Sequence, residues 1–299
     1  MRVDFYISGI QKSGTTNLAY LLSRSSNIIT HPQMECTYYW DEKEYTKGKE
    51  YLRKNYFFDF KDADFETHYT LLKHSNSFTN PEVLKRVVSE NPQVQILLVL
   101  RNPVQRYISS FLMEKTRSLY PLTLSQSIKK ALSDKNSFEH QVFLKYGEYD
   151  YWIERILNTI PENNLHFFLF EELYDDKEFH LKNFTQKYQL DFNPDALKNV
   201  PIINTYKEPR NSLYQKILVN LRHSNIKNII KQLIPIKYWV SLAQKIEHIN
   251  LVEPPQKPLI DNELETILSD YYSNSIAKFE QLTGLKTNWL INKEMSKNA

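Results

Sequence analysis

Glycine is scarce in this chain, and its placement limits the fold more than any other feature of the sequence. Of the 5 glycines among 299 residues, Gly9 and Gly14 lie close together near the start. Residues 3–8, which precede them, are β-branched and aromatic and predict a strand, and residues 17–24 carry leucines at helical spacing. A strand, a glycine loop and a helix in this order predict a loop whose amides and helix N-terminus bind an anion.

The same strand-to-helix arrangement occurs twice more. Residues 95–100 form a short apolar run, and a helix is predicted from about Val104, directly after Pro103. Residues 165–170 predict a third strand between an amphipathic segment and a further helix. Buried strands that alternate with helices indicate an α/β fold, with a mostly parallel β-sheet flanked by helices in three α/β/α layers.

Composition and charge exclude several classes of protein. With 41% hydrophobic and 24% charged residues, the chain is a folded globular protein rather than a disordered or fibrous one. Its net charge of +3 does not favour nucleic acid as a partner. The single cysteine, Cys36, cannot form an intrachain disulfide, and we expect it to be a buried filler.

Targeting and metal signals are weak. The start of the chain has no basic segment leading into an apolar stretch, and no apolar run approaches the ~20 residues of a spanning helix, so we expect a cytoplasmic protein. The histidines show no metal-ligand spacing, and we predict no metal.

Positive charge is concentrated in one segment, residues 207–246. It holds eight Lys or Arg against one acid, a local charge of +7, which leaves −4 for the rest of the chain. Amphipathic helices with solvated basic faces are one explanation, and a site for an acidic acceptor or a membrane surface is the other. No linker composition divides the chain, so we expect one domain over residues 1–299, with residues 207–257 as a basic helical insertion or lid within it.

The first loop differs from the phosphate loop of nucleotide kinases. That loop has four residues between its glycines, followed by Lys and Ser or Thr. Gly9 and Gly14 have this spacing, but Thr15 stands where the lysine belongs and the lysine lies inside the loop, at Lys12. A lysine there can reach a bridging oxygen of the bound anion and neutralise charge as a leaving group departs.

Two motifs resemble those of sulfotransferases that use 3′-phosphoadenosine 5′-phosphosulfate (PAPS). Residues 9–18 read GIQKSGTTNL and closely resemble the phosphosulfate-binding loop of that family. Residues 101–109 read RNPVQRYIS and resemble its site for the 3′-phosphate. An Arg at a strand end and a hydroxyl on the next helix also suit a phosphate on physical grounds. The resemblance implies Lys12 as the catalytic cation, a 3′-phosphate site at Arg101 and Ser109, and a 5′-phosphosulfate site at Lys12, Ser13, Gly14, Thr15, Thr16 and Asn17.

Transfer to an acceptor hydroxyl requires a base, and two residues are candidates. Glu35 precedes Cys36-Thr37-Tyr38-Tyr39, which resembles the Glu-x-x-Phe-Phe pattern of glycan-modifying members, where the glutamate is the base. His74 lies near the position of a Lys-x-His in members that act on small molecules, with a spacing that differs by one. We favour Glu35 and keep His74 as the alternative.

The resulting hypothesis is a sulfotransferase that moves a sulfuryl group from PAPS to a hydroxyl or amine of a carbohydrate or other small hydroxylated molecule. Positioning and charge stabilisation would supply most of the rate, with no metal required. Two alternatives remain: a nucleotide kinase with a P-loop, and a non-catalytic protein that binds nucleotide or anionic glycan. Thr15 and the second motif argue against the kinase, and the retention of Lys12 argues against the binding protein.

Overall fold

A five-stranded parallel sheet forms the centre of the protein. The computed structural model describes residues 1–31, 35–116, 120–192, 207–223, 250–252 and 261–290. The strands lie in the order β2-β3-β1-β4-β5, and every pairing between them is parallel. Their bounds are β1 Phe5–Gly9, β2 Ile28–Thr30, β3 Tyr69–Lys73, β4 Gln95–Leu100 and β5 Leu165–Leu169.

The central strand, β1, fixes where a ligand site can form. All five of its residues are buried, because β3 pairs with it on one side and β4 on the other. The chain reaches these two neighbours on opposite sides of β1, which makes the carboxyl end of β1 a topological switch point. In open parallel sheets, ligands bind in the crevice at such a point.

Helices cover both faces of the sheet. Short 3₁₀ turns at Ser75–Thr79, Lys145–Gly147 and Glu162–Asn164, and a π-helical turn at Glu139–Leu144, connect some of them. A small antiparallel pair, β6 Glu208–Pro209 and β7 Leu251–Val252, lies outside the main sheet. The helices are α1 Thr15–Leu22, α2 Glu42–Tyr45, α3 Gly48–Tyr56, α4 Asp64–Thr67, α5 Pro81–Glu90, α6 Pro103–Thr116, α7 Leu124–Ser133, α8 Tyr149–Leu157, α9 Phe170–Asp175, α10 Lys177–Lys187, α11 Ser212–His223 and α12 Asn262–Thr283.

The strand pleat divides the core into two apolar clusters. Phe5 and Ile7 of β1 point to one face, where they pack with Leu18 of α1 and Phe184 of α10. Tyr6 points to the other face and belongs to a larger cluster that includes residues of α8 and α12. The prediction of a parallel sheet between helical layers is therefore confirmed.

Two of the five strands escape sequence analysis. β2 has three residues, and β3 ends in a lysine, so neither forms the continuous apolar run by which the other three are found. The predicted first helix also begins earlier than expected, at Thr15, because Gly14 takes a left-handed conformation and acts as its N-cap.

Several predictions concern parts of the chain that the structure describes only in part. Most of the basic segment 207–246 lies outside the described residues, so its role and the single-domain division stay predictions. Within the described residues, no helix is both long enough and apolar enough to cross a membrane.

Candidate active site

The loop between β1 and α1 requires both of its glycines. A Cβ at Gly9 would lie 2.3 Å from the backbone nitrogen of Val99 in β4, a distance that no side chain permits. Gly14 has a φ of +88° and, in addition, a Cβ there would lie 2.5 Å from Cδ2 of Phe170. The special backbone that the sequence predicts at this loop is confirmed, and its cause is the close approach of β4 and of Phe170.

Lys12 is held in the loop through its backbone. Its φ of 75° is unusual for a residue with a side chain. Its carbonyl oxygen accepts a hydrogen bond of 3.2 Å from Nη1 of Arg101. The two sequence motifs, which are separated by 89 positions at these residues, thus meet in a direct contact.

The first turn of α1 is arranged to receive negative charge. It contains no acidic residue, and Gly14 provides no side chain to cap it. The nitrogen of Leu18 donates a hydrogen bond of 3.1 Å to the carbonyl of Gly14, so the amides of Thr15 and Thr16 precede the first hydrogen bond of the helix. Such a helix N-terminus attracts anions.

Arg101 lies at the end of β4, where two aromatic residues contact it. Its guanidinium lies over the ring of Phe170, 4.6 Å from the centroid, and its carbonyl accepts a 2.6 Å hydrogen bond from the Tyr149 hydroxyl. Burial lowers the pKa of Arg101, while the nearby Glu171 opposes this effect. Nε of Arg101 is buried without a hydrogen-bond partner, which leaves a donor for a further acceptor. Ser109 lies on α6, partly exposed.

Ser13 supplies a second polar group of this kind. Its Oγ is buried near the Tyr149 hydroxyl and makes no hydrogen bond of normal geometry. Ser13 and Arg101 thus each have a buried polar atom without a hydrogen-bond partner. One of them belongs to each of the two motifs that are predicted to bind PAPS. Buried polar groups in this state fit a site for a strongly accepting ligand.

Glu171 connects the turn that carries Arg101 with Trp289, a role that sequence analysis does not predict. Its Oε1 accepts a 2.9 Å hydrogen bond from the backbone nitrogen of Asn102, and its Oε2 accepts one of 3.1 Å from Nε1 of Trp289. The indole of Trp289 in turn stacks on Phe279 of α12 at 5.8 Å. These contacts fix the turn that carries Arg101.

Glu35 forms the centre of a compact polar cluster. Its Oε1 lies 2.7 Å from Nζ of Lys73 and accepts a 2.9 Å hydrogen bond from the Ser75 hydroxyl. Its Oε2 accepts a 2.9 Å hydrogen bond from the backbone nitrogen of Ser75. Lys73 is almost fully buried, with a side-chain exposure of 5%, whereas Glu35 remains 34% exposed. The carboxylate is therefore both fixed in position and open to a substrate.

Lys73 also reaches the first motif. Its Nζ donates a hydrogen bond of 3.4 Å to the hydroxyl of Thr16, at the start of α1. Sequence analysis does not identify Lys73 as a site residue, because a lysine after a short apolar run resembles the exposed end of a strand. The signal that would have identified Lys73 is its position as the last residue of a buried strand, because the carboxyl end of that strand lies beside the carboxyl end of β1, where Gly9 lies.

His74 lies in the same region in a different environment. Its Nδ1 is 2.9 Å from the hydroxyl oxygen of Ser77, which is 2.8 Å from the hydroxyl of Tyr6. Its ring lies 4.9 Å from that of Trp40. Burial lowers the pKa of His74 to about 4, so its imidazole is neutral at pH 7.

Cys36 is part of the apolar core. Cys36 is fully buried, and this burial raises the pKa of its thiol. The prediction that Cys36 is a buried filler is confirmed. In the part of the chain that the structure describes, no group of three or more His, Cys, Asp or Glu residues is placed to hold a metal ion.

Comparison with known proteins gives the family. A family model described as the sulfotransferase domain matches residues 2–233. The bifunctional heparan sulfate N-deacetylase/N-sulfotransferase 1 of Caenorhabditis briggsae is 25% identical over an alignment of 184 residues, and the match covers 57% of this chain and 20% of that protein. The heparan sulfate glucosamine 3-O-sulfotransferase 5 of Mus musculus is 28% identical over 105 residues, 35% of this chain and 29% of that protein. The matched stretches thus cover less than a third of either relative.

A solved structure supports the fold over nearly the whole length. A sulfotransferase from Alicyclobacillus acidocaldarius superposes with a TM-score of 0.62 at 16% sequence identity, and the match covers 97% of this chain and 99% of that one. This likeness agrees with the parallel sheet and flanking helices described above. Because the family model spans more than half of the sequence and includes both motifs, the chain belongs to the sulfotransferase domain family.

Proposed function

We propose that this sulfotransferase moves a sulfuryl group from PAPS to a hydroxyl or amine of a carbohydrate acceptor by a single in-line displacement. The observation that carries the proposal is the hydrogen bond from Arg101 to the carbonyl of Lys12, which joins the two motifs in one site. The polar cluster around Glu35 reaches the same site through Lys73 and Thr16.

The donor is expected to lie across the carboxyl end of β1. Its 5′-phosphosulfate would accept hydrogen bonds from the loop and from the first turn of α1, where Ser13 Oγ lacks a hydrogen bond of normal geometry. Its 3′-phosphate would accept hydrogen bonds from Nε of Arg101, which has no partner in the structure, and from the hydroxyl of Ser109. Gly14 gives the loop a left-handed residue directly before α1, a conformation that glycine adopts without strain.

The chemical step uses two charged groups. The acceptor oxygen forms a bond to sulfur, while the bond from sulfur to the bridging phosphate oxygen breaks and leaves its electron pair on that oxygen. Lys12 neutralises the negative charge that develops there, which is electrostatic stabilisation of the transition state. The proton of the acceptor hydroxyl passes to the base.

The structure favours Glu35 over His74 as the base. Three hydrogen bonds hold its carboxylate, which has about four sites for acceptance, so one remains for the acceptor proton. The Glu35 side chain is 34% exposed, whereas His74 is buried and its Nδ1 lies 2.9 Å from the hydroxyl oxygen of Ser77, so the carboxylate is the group that an acceptor can reach. We therefore assign the proton transfer to Glu35 and keep His74 as the alternative.

Two observations favour a carbohydrate as the acceptor. Glu35 with the aromatic residues after it resembles glycan-modifying sulfotransferases, and two similar proteins carry names that refer to heparan sulfate. A carbohydrate is the class that these two observations share.

Calorimetric titration tests the donor. We expect 3′-phosphoadenosine 5′-phosphate (PAP) to bind at least about tenfold more tightly than ADP, because a charge-assisted contact to the 3′-phosphate contributes roughly 1.5–3 kcal/mol. A preference for ATP with magnesium would support the kinase alternative instead. PAP binding without transfer of labelled sulfate to any acceptor in a glycan and phenol panel would support the binding-protein alternative.

A further inference from the structure

Trp40 is an exposed aromatic residue next to the polar cluster around Glu35. It is 39% exposed, whereas the two tyrosines directly before it are fully buried. A turn fixes its backbone: the nitrogen of Trp40 donates a 3.0 Å hydrogen bond to the carbonyl of Thr37, and the nitrogen of Asp41 donates one of 2.8 Å to the same carbonyl. The side chain is thus held at the surface by a rigid support.

The support is aromatic and closely packed. The rings of Tyr38 and Tyr39 lie 4.8 Å apart, and that of Tyr45 in α2 packs on both, at 5.6 and 6.0 Å. The side chain of Asp41 caps α2 by accepting from the backbone nitrogen of Lys43 at 2.8 Å. An exposed tryptophan on such a packed support loses little conformational entropy when a ligand covers it, since its position is already set.

His74 gives Trp40 a partner. The two rings are 4.9 Å apart and inclined by 35°, and His74 is only 5% exposed, so the imidazole supports the indole of Trp40, whose exposed side forms an aromatic surface. The imidazole is held in place by a hydrogen bond between its Nδ1 and the hydroxyl of Ser77, which is also hydrogen-bonded to the hydroxyl of Tyr6. Because the imidazole is neutral at pH 7, this surface carries no charge.

The aromatic surface adjoins the candidate base. The nitrogen of Cys36 donates a 2.7 Å hydrogen bond to the carbonyl of Lys73, so residues 35–40 run beside residues 73–75. Glu35 closes this pairing through its two hydrogen bonds from Ser75. A molecule that presents a hydroxyl to Glu35 therefore lies beside Trp40 and His74.

We propose that Trp40, supported by His74, forms the aromatic wall of the acceptor site, against which the apolar face of a sugar ring stacks. The C–H groups on that face carry partial positive charge, and an aromatic ring presents its negative face to them. An indole with one open side suits a flat ring, while the polar edge of the sugar faces Glu35. This inference rests on the proposed function and adds the residues that select a carbohydrate acceptor.

The test compares Trp40→Ala with Trp40→Phe, with Tyr151→Ala as a matched control at another exposed aromatic residue. PAP affinity is measured by calorimetry, and kcat and KM are measured with chitotetraose, heparosan oligosaccharide and 4-nitrophenol as acceptors. For a saccharide that the wild type sulfates, we expect Trp40→Ala to raise KM about two- to tenfold, since the stacking contact with the indole is lost. Trp40→Phe should retain most of the affinity, and PAP binding should be equal in all four proteins.

Other outcomes would overturn the inference in distinguishable ways. An unchanged KM in Trp40→Ala would show that Trp40 lies outside the acceptor site, and weaker PAP binding in that variant would show a structural role. Sulfation of 4-nitrophenol but of no saccharide would refute the sugar-stacking role and leave the donor assignment intact. Failure of the wild type to bind PAP would instead refute the proposed function itself.

Discussion

Lys73 Nζ lies 2.7 Å from Glu35 Oε1, and the same ammonium donates a hydrogen bond to the hydroxyl of Thr16 at the start of α1. One almost fully buried cation therefore joins the candidate base to the loop that is predicted to bind the donor. A charge buried to this extent requires its partner, because breaking a buried ion pair leaves the other charge without compensation.

Replacement of Lys73 tests this junction. We expect Lys73→Met to lower kcat at least about tenfold, because the charge that orients Glu35 beside the donor is lost. The Kd for PAP should change less, since Thr16 retains its backbone amide. Transfer of labelled sulfate and calorimetry give the two values, and Lys61→Met, at an exposed lysine, is the control. Equal kcat values in Lys73→Met and Lys61→Met would show that catalysis does not require the charge of Lys73.

Lys12 should affect turnover more than binding. In Lys12→Met we expect kcat to fall by about 10²–10³, the typical loss when one group that stabilises transition-state charge is removed. The loop should keep its shape because Arg101 contacts the carbonyl of Lys12 rather than its side chain. Rates are compared with those of Lys129→Met, an exposed lysine on α7. A loss confined to PAP affinity, with kcat intact, would contradict the catalytic role.

Arg101 should determine the preference for a 3′-phosphate. We expect Arg101→Ala to weaken PAP binding at least about tenfold and to weaken ADP binding much less, because only PAP carries the 3′-phosphate that Arg101 would contact. Calorimetry with both nucleotides measures the difference. Arg155→Ala, which removes an exposed arginine on α8, should alter neither affinity. Parallel losses for PAP and ADP in Arg101→Ala would mean that the loop itself has been disturbed.

The two glycines with positive φ near the start of the chain should respond differently to alanine. Gly48 has a φ of +77° with open space around it, so Gly48→Ala should cost only the roughly 1–2 kcal/mol of a left-handed residue. Gly14→Ala adds a clash with the Phe170 ring and should lower the melting temperature further. It should also weaken PAP binding, which Gly48→Ala should not. Thermal unfolding with and without PAP measures both effects, and identical shifts in the two variants would refute the close approach of Phe170.

Two buried histidines should make the protein less stable in weak acid. Burial lowers the pKa of His31 to about 3 and that of His74 to about 4, from an ordinary 6.5. Between pH 6.5 and 4 the unfolded chain binds protons that the folded chain does not, so the free energy of unfolding falls as pH falls. The slope is at most about 1.4 kcal/mol per pH unit for each histidine.

Urea unfolding at pH 7, 6 and 5 measures this slope. The variant His31→Phe keeps an aromatic ring against Tyr56 and Phe57 but removes one titrating group. We therefore expect its stability to fall less steeply toward acid than that of the wild type. The same slope in both proteins would assign the acid sensitivity to other groups.

The sequence alone determined the parts of this protein that are local along the chain. Residues 9–18 and 101–109 each combine a strand end, a turn and a helix start within about ten positions, so their chemistry can be read from spacing and residue type. The alternation of strands and helices likewise indicates a parallel sheet, because parallel strands require long crossover connections. Both motifs and the fold class follow from such short-range patterns.

Only the tertiary structure decided which side chains from distant segments meet. β3 pairs with β1 across more than sixty positions, and this pairing brings Lys73 to Thr16 and Glu35. The contact of Phe170 with Gly14 and Arg101, and that of Glu171 with Trp289, depend on similarly distant pairings. A buried lysine and an exposed one have the same letter in a sequence, and only packing gives each its surroundings and therefore its role.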